Sequence, residues 1–184
     1  MSQQPPMRTS EESSRDQLEL ARRQGEALQA ALEEMNEESD SGVLTQKAGD
    51  YEIGLAVEEA EGMWQWQDGE LRWQNPRDEN CHVEVCVRDR ADGRFIPGLE
   101  VAVTLIDPDG AESEPQQQPF LWHPWLYHYG RNWRVAGAGE YRIRIRVEPP
   151  RFMRHDHENG RRYLEPVEVE FDGVEIDPDQ KTVD

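Results

Sequence analysis

An all-β fold, an antiparallel sandwich carrying an N-terminal helical extension, is predicted by a change of period and a pattern of punctuation. Apolar residues recur every three or four positions before residue 45 and every second position from Tyr51 onward. The alternating runs are short, and turn residues rather than helical segments separate them, as in sandwiches of the immunoglobulin type.

Residues 1–45 form a polar extension that is partly helical. From Arg15 to Glu37 the segment is rich in Glu, Gln, Ala and Leu and contains no Pro. Leu18, Ala21, Gly25, Leu28, Leu32 and Met35 fall on one helical stripe. Ser13 or Ser14 supplies a cap at its start, and Ser39 to Gly42 a stop at its end. The stripe is thin, since two of its members are Ala and Gly. Two readings stay open: a solvated, partly frayed extension, or a helix for docking or self-association, the latter allowing a homodimer.

Residues 46–177 carry the sandwich. Tyr51, Ile53, Leu55 and Val57 alternate with polar or small residues, and so do Leu99, Val101, Val103 and Leu105. Tyr141, Ile143, Ile145 and Val147 alternate with Glu140 and three arginines, and Val167, Val169 and Phe171 with Glu168 and Glu170. Each run predicts a strand with one buried and one wet face. Turns are marked by Asp68-Gly69, Asp92-Gly93, Pro97-Gly98, Pro108-Asp109-Gly110 and Gly137 to Gly139. Residues 178–184 read as a flexible acidic tail.

Acidic residues outnumber basic ones 39 to 20, for a formal charge of −19. Such a surface repels phosphate backbones and anionic lipid, which argues against nucleic-acid partners. Lys47 and Lys181 are the only lysines. A high acid load nearly free of Lys suits a halophilic protein, because counterions screen its self-repulsion. No apolar leader and no spanning stretch occurs in the sequence, so localisation stays open between the cytoplasm and an extracytoplasmic space. Two cysteines make no disulfide framework.

The five histidines fall in three elements. In the strand Asn80 to Val87, Val83, Val85 and Val87 point to the core, while His82, Glu84 and Cys86 share the other face. Neighbours on that face stand about 6–7 Å apart, so His82 and Glu84 can address one ion. Cys81 and Cys86 point to opposite faces and cannot pair within this strand. Taken alone, His-x-Glu on a strand is more often an ordinary polar face.

The second element, Phe120 to Trp133, is crowded with aromatic rings and holds His123 and His128. Pro124 and Gly130 are expected to break any regular strand there, leaving an aromatic loop over one end of the sandwich. Such a loop either hydrogen-bonds its histidines internally or forms a dry wall around a metal. The third element, Arg154 to Gly160, reads as a polar loop holding His155 and His157. Imidazoles with one carboxylate suit copper, iron, zinc or manganese, and affinity alone runs toward copper. Met63, Met153 and Cys86 are candidate sulfur donors, each more readily explained by packing.

From about Gly49 to Ile176 the chain resembles the periplasmic high-affinity iron-transport proteins, Ig-like sandwiches that bind copper and iron. The matching residues are His82-Val83-Glu84, Phe95 to Val101, His128-Tyr129-Gly130-Arg131-Asn132, Gly137 to Tyr141, Glu148-Pro149-Pro150, Arg154-His155-Asp156 and Glu165 to Val169. The resemblance implies metal ligands at His82, Glu84, His128 and His155, a copper or iron ion, and a membrane iron permease as partner. The family places a methionine upstream of the His-Tyr-Gly. Here that stretch reads Trp122-His123-Pro124-Trp125, so His123 is the candidate replacement.

The competing reading is an Ig-like module that recognises carbohydrate or protein through Trp64, Trp66, Trp73, Trp122, Trp125 and Trp133. No nucleophile elbow, Gly-rich phosphate loop or zinc-protease helix is present, and the sequence reads as a binding protein rather than an enzyme. Because ligating imidazoles must be neutral, metal affinity is expected to fall below about pH 6.

Overall fold

The computed structural model describes residues 6–38 and 42–178. Most of the expected helix stop at Ser39 to Gly42, and nearly all of the expected acidic tail, lie outside the described residues. One helix, α1 (Arg15–Glu38), precedes the strands. In chain order these are β1 (Leu44–Ala48), β2 (Tyr51–Glu58), β3 (Met63–Gln67), β4 (Glu70–Gln74), β5 (Cys81–Asp89) and β6 (Val101–Ile106). They continue with β7 (Gln116–Gln117), β8 (Phe120–Trp122), β9 (Tyr127–Trp133), β10 (Gly139–Val147) and β11 (Val167–Ile176). One sheet runs β1-β2-β5-β9-β8, the facing sheet β11-β10-β6-β7, and β3-β4 is a separate hairpin. All of the pairings are antiparallel.

The core lies between the two larger sheets. Tyr51, Ile53 and Leu55 of β2, Val83, Val85 and Val87 of β5 and Tyr129 of β9 meet Val101 and Val103 of β6, Ile143 and Ile145 of β10 and Phe171 of β11. Burying each such side chain contributes about 1.5–3 kcal/mol. A one-residue slip of β5 would turn three fully buried valines outward and carry His82 and Glu84 into the core. Register is therefore locked by the valines, and the lock sets where the polar residues of β5 stand.

Tyr129 locks β9 in the same way. Its hydroxyl donates to the Ile96 carbonyl at 2.8 Å and accepts from the Leu99 amide at 3.0 Å. These bonds tie β9 to the Pro97-Gly98 turn that follows β5.

The outer faces of the two large sheets differ. On the four-stranded sheet, Arg142, Arg144 and Arg146 form a wet ladder with Glu112, Glu168 and Glu170. On the five-stranded sheet every residue of β5 is buried, including the outward-facing ones. Over the Cys86–Arg88 part of this face lies α1, docked on its own sandwich rather than left in solvent. Leu32 and Met35 pack with Ala56, Cys86 and Leu126. Ser14 caps the helix through a reciprocal pair: its amide donates to Gln17 Oε1 at 2.8 Å and the Gln17 amide to Ser14 Oγ at 3.3 Å.

Gly25 explains why the stripe is thin. A Cβ built at Gly25 would lie 1.8 Å from the Asp92 carbonyl oxygen, so only glycine lets the helix backbone rest on the Asp92-Gly93 turn. A Gly25→Leu variant is expected to lift α1. Cys86, now only 5% exposed, would then react with a thiol reagent at least about tenfold faster, as local opening exposes it. Counting reactive thiols checks this, with Cys81 in the core as the protected control.

Gly130 does not break β9, contrary to the expectation from its residue type. It sits within the strand, paired opposite Glu84. The strand tolerates glycine there because neighbouring side chains fill the space a Cβ would need.

Candidate metal centre

Among the described residues, His82, Glu84 and His128 form the group of possible ligands whose atoms all lie within 4.8 Å of one another. Their meeting follows from register. Glu84 pairs with Gly130 and His82 with Asn132, so His128, Gly130 and Asn132 line up on β9 beside Glu84 and His82 on β5. On the other side Ala56 of β2 stands opposite Glu84, and Glu58 opposite His82.

His82 Nε2 lies 3.7 Å and His128 Nε2 3.2 Å from Glu84 Oε1. The two rings are nearly perpendicular, 82° apart, with centroids 6.1 Å from each other. His82 Nδ1 is hydrogen-bonded to Asn132 Oδ1 at 2.8 Å. His82 Nε2 and both nitrogens of His128 are buried with no hydrogen-bond partner. Three orphaned nitrogens, two of them facing one carboxylate, make a costly arrangement for a structural cluster, because buried polar atoms are normally satisfied. For an electron-pair acceptor it is a ready donor set. The residues present therefore fit a transition-metal ion.

The electrostatics follow from burial. Burial, reinforced by the charges of Glu58 and Glu61, pushes the Glu84 carboxyl up to about 8. Burial, together with the neighbouring charges of His82 and His123, lowers His128 to about 4. Burial also lowers His82, against the opposing bond from Asn132. Near neutrality and without a cation, the imidazoles are neutral and Glu84 holds its proton. The site offers an ion no net charge until that proton leaves.

Gly130 is the floor of this space. A Cβ there would meet His82 Nε2 at 2.7 Å, Leu121 Cδ1 at 3.0 Å and His128 Cδ2 at 3.1 Å. A Gly130→Ala variant is expected to keep the fold, since any residue adopts this strand backbone. It should weaken metal binding about 10- to 100-fold by displacing both imidazoles, the range seen when a ligand's supports are disturbed. Thermal unfolding and metal titration of the same sample check the two halves.

The other expected ligands do not join the cluster within this chain. His123 lies in the turn between β8 and β9, exposed, with its ring edge-on to Trp125 at 5.3 Å. It stands at the rim, near enough for its charge to bear on His128. The His155 side chain is 92% exposed, with Nδ1 3.1 Å from Glu12 Oε2. Its loop is held to the segment before α1 by Ser10 Oγ, which donates to Asp156 Oδ2 at 2.8 Å. Met35, at the far end of α1, packs beside Cys86. At 1.5 Å per residue, the helix between them separates the two places by roughly 30 Å. His155 is thus remote from Glu84 in the same chain.

Of the sulfur candidates, Cys86 is not among the grouped ligand atoms. Met153 is 99% exposed, and burial pushes the Cys86 thiol up to about 12. Gly130 and Asn132, neither of them a ligand type expected from the sequence, also belong to the site. Their signal was the alternation of His128, Gly130 and Asn132 along one strand face.

A family described as Fe2+ transport protein matches residues 68–175, more than half of the chain. No curated protein matches the sequence. Among solved structures, FetP of uropathogenic E. coli is 23% identical, covering 73% of this chain and 95% of its own, with a TM-score of 0.58. A copper-bound variant of the same protein is 23% identical, covering 72% and 95%, with a TM-score of 0.59. A copper-reconstituted protein of Campylobacter jejuni is 20% identical over 72% of this chain and 94% of its own, with a TM-score of 0.59. At these identities the likeness establishes a shared fold. The match to the family begins at residue 68, so α1 lies outside it.

Proposed function

The chain belongs to the Fe2+ transport protein family, and from that premise we propose that it carries a transition-metal ion, copper or iron, on His82, Glu84 and His128. The observation that carries this reading is the pair of buried, unpartnered imidazole nitrogens, His82 Nε2 and His128 Nε2, beside one carboxylate. Such a donor set also accepts manganese or zinc, and the usual order of affinities favours copper among them. The copper in the FetP and Campylobacter structures supports the same choice. The ion is cargo: the chain's residues bind it, keep water away and release a proton from Glu84 as it enters. His123 at the rim is the candidate for first contact with an arriving ion. An extracytoplasmic post beside a membrane iron permease is part of this reading, supported by the family resemblance.

Titration with Cu(II), Fe(II), Mn(II) and Zn(II) tests it. One ion per chain is expected to bind below about 1 μM for at least one metal, better than about −8 kcal/mol. Binding no tighter than about 100 μM for all four would defeat the proposal.

A second reading rests on the β3-β4 hairpin. Register places Trp64, Trp66, Leu71 and Trp73 on one face, each between 48% and 75% exposed. Exposed aromatic platforms of this kind stack on sugars or peptides. Metal indifference combined with saturable oligosaccharide binding would favour it.

A further inference from the structure

We propose that Asn132 is a positioning residue that fixes the tautomer of His82, so that the lone pair of Nε2 is always turned toward Glu84. This rests on the metal-carrier reading and adds to it the group that readies a ligand before any ion arrives.

The two ends of the Asn132 amide are held by the backbone of Glu61. The Glu61 N–H donates to Asn132 Oδ1 at 3.2 Å, and Asn132 Nδ2 donates to the Glu61 carbonyl at 2.7 Å. Turning the amide over would set donor against donor and acceptor against acceptor at both contacts. Its orientation is therefore determined, and the oxygen faces His82. An amide oxygen only accepts, so His82 Nδ1, 2.8 Å away, must donate.

A neutral imidazole carries one ring proton. With that proton on Nδ1, Nε2 keeps a bare lone pair. Nε2 is also the buried nitrogen that lacks a hydrogen-bond partner and lies 3.7 Å from Glu84 Oε1. His128 shows the contrast, because neither of its nitrogens has a partner to fix a tautomer.

The choice of a neutral amide matters as well. A carboxylate at position 132 would also accept from Nδ1, but it would add a second negative charge behind the ligand. With asparagine the centre holds one acid, Glu84. The tie to Glu61 reaches the connection between β2 and β3, so the tryptophan hairpin and the metal ligand share one anchoring residue.

Long-range 1H–15N NMR of the metal-free protein reads the tautomer directly. In the wild type His82 is expected to be protonated at Nδ1 and bare at Nε2. Asn132→Leu should populate both tautomers and weaken Cu(II) binding about 10- to 100-fold, the usual cost of losing a group that orients a ligand. Asn132→Asp keeps an acceptor facing Nδ1 and should restore the single Nδ1–H form, which a merely structural role for Asn132 would not require. A wild-type His82 protonated at Nε2 would overturn the proposal even if the protein binds copper. So would an Asn132→Leu variant with an unmixed Nδ1–H tautomer. Should the leucine variant not fold, the wild-type and aspartate spectra still decide. A wild type that binds none of the metals would instead remove the carrier reading, and the tautomer would remain measurable.

Discussion

His128→Ala is expected to lose more than about a hundredfold in affinity for Cu(II), because removing a ligand should exceed the 10- to 100-fold cost of disturbing its supports. Titration calorimetry on the wild type and the variant measures the loss. The metal-free variant should stay folded. Truncating a buried ring leaves a cavity, which costs stability, but it also removes two buried nitrogens that have no partner. The terms oppose each other, and the net change in unfolding free energy should stay within about 2 kcal/mol. His155→Ala provides the comparison. Within this chain His155 pairs with Glu12 at the surface, so its loss should leave the affinity of the His82, Glu84 and His128 set within about twofold. A large effect from His155 and none from His128 would reverse the assignment of the centre.

Metal affinity should rise about fiftyfold between pH 6 and pH 8 and level above about pH 9, with Glu84 as the cause rather than the imidazoles. The Glu84 carboxyl is raised from an ordinary 4.5 to about 8, so in this window the folded, metal-free chain keeps a proton that an ion must displace. His128, held at about 4, is already neutral throughout. The fall expected from sequence below about pH 6 is therefore moved upward and given to a different residue. One proton should be released per ion near pH 7, read from the dependence of binding enthalpy on buffer ionisation. Glu84→Gln should flatten the profile and abolish the release. Persistence of both in that variant would mean the protons come from elsewhere.

The sign for stability is opposite. A group whose folded value is raised favours the folded state below its ordinary value and loses that contribution as pH climbs to the raised one. Without metal, the Glu84 contribution is thus present below about 4.5 and gone above about 8. The bound ion should accordingly raise Tm more at pH 8 than at pH 6.

Much of the sandwich was legible in advance because the signal is local. Val83, Val85 and Val87 alternate with His82, Glu84 and Cys86, and a pleated strand turns that alternation into two faces. The same rule put His82 and Glu84 side by side before any fold was known. It failed at Gly130, where a residue that usually marks a break sits inside a strand because two imidazoles need its missing Cβ. It was equally blind to Gly25, whose place in a thin stripe looked like weakness but is the point of closest helix approach.

What the sequence determined by itself was which residues face inward, which face outward and where the helix begins, because periodicity and caps act over a few neighbouring residues. Tertiary structure alone decided which outward residues meet. The pairing of β5 with β9 brought His128 to Glu84, the length of α1 left His155 at the far end, and burial between neighbouring strands turned Glu84 into a proton-holding acid. Such outcomes depend on contacts between segments distant in the chain, and their free energy is set by burial, which no single strand possesses before the others enclose it.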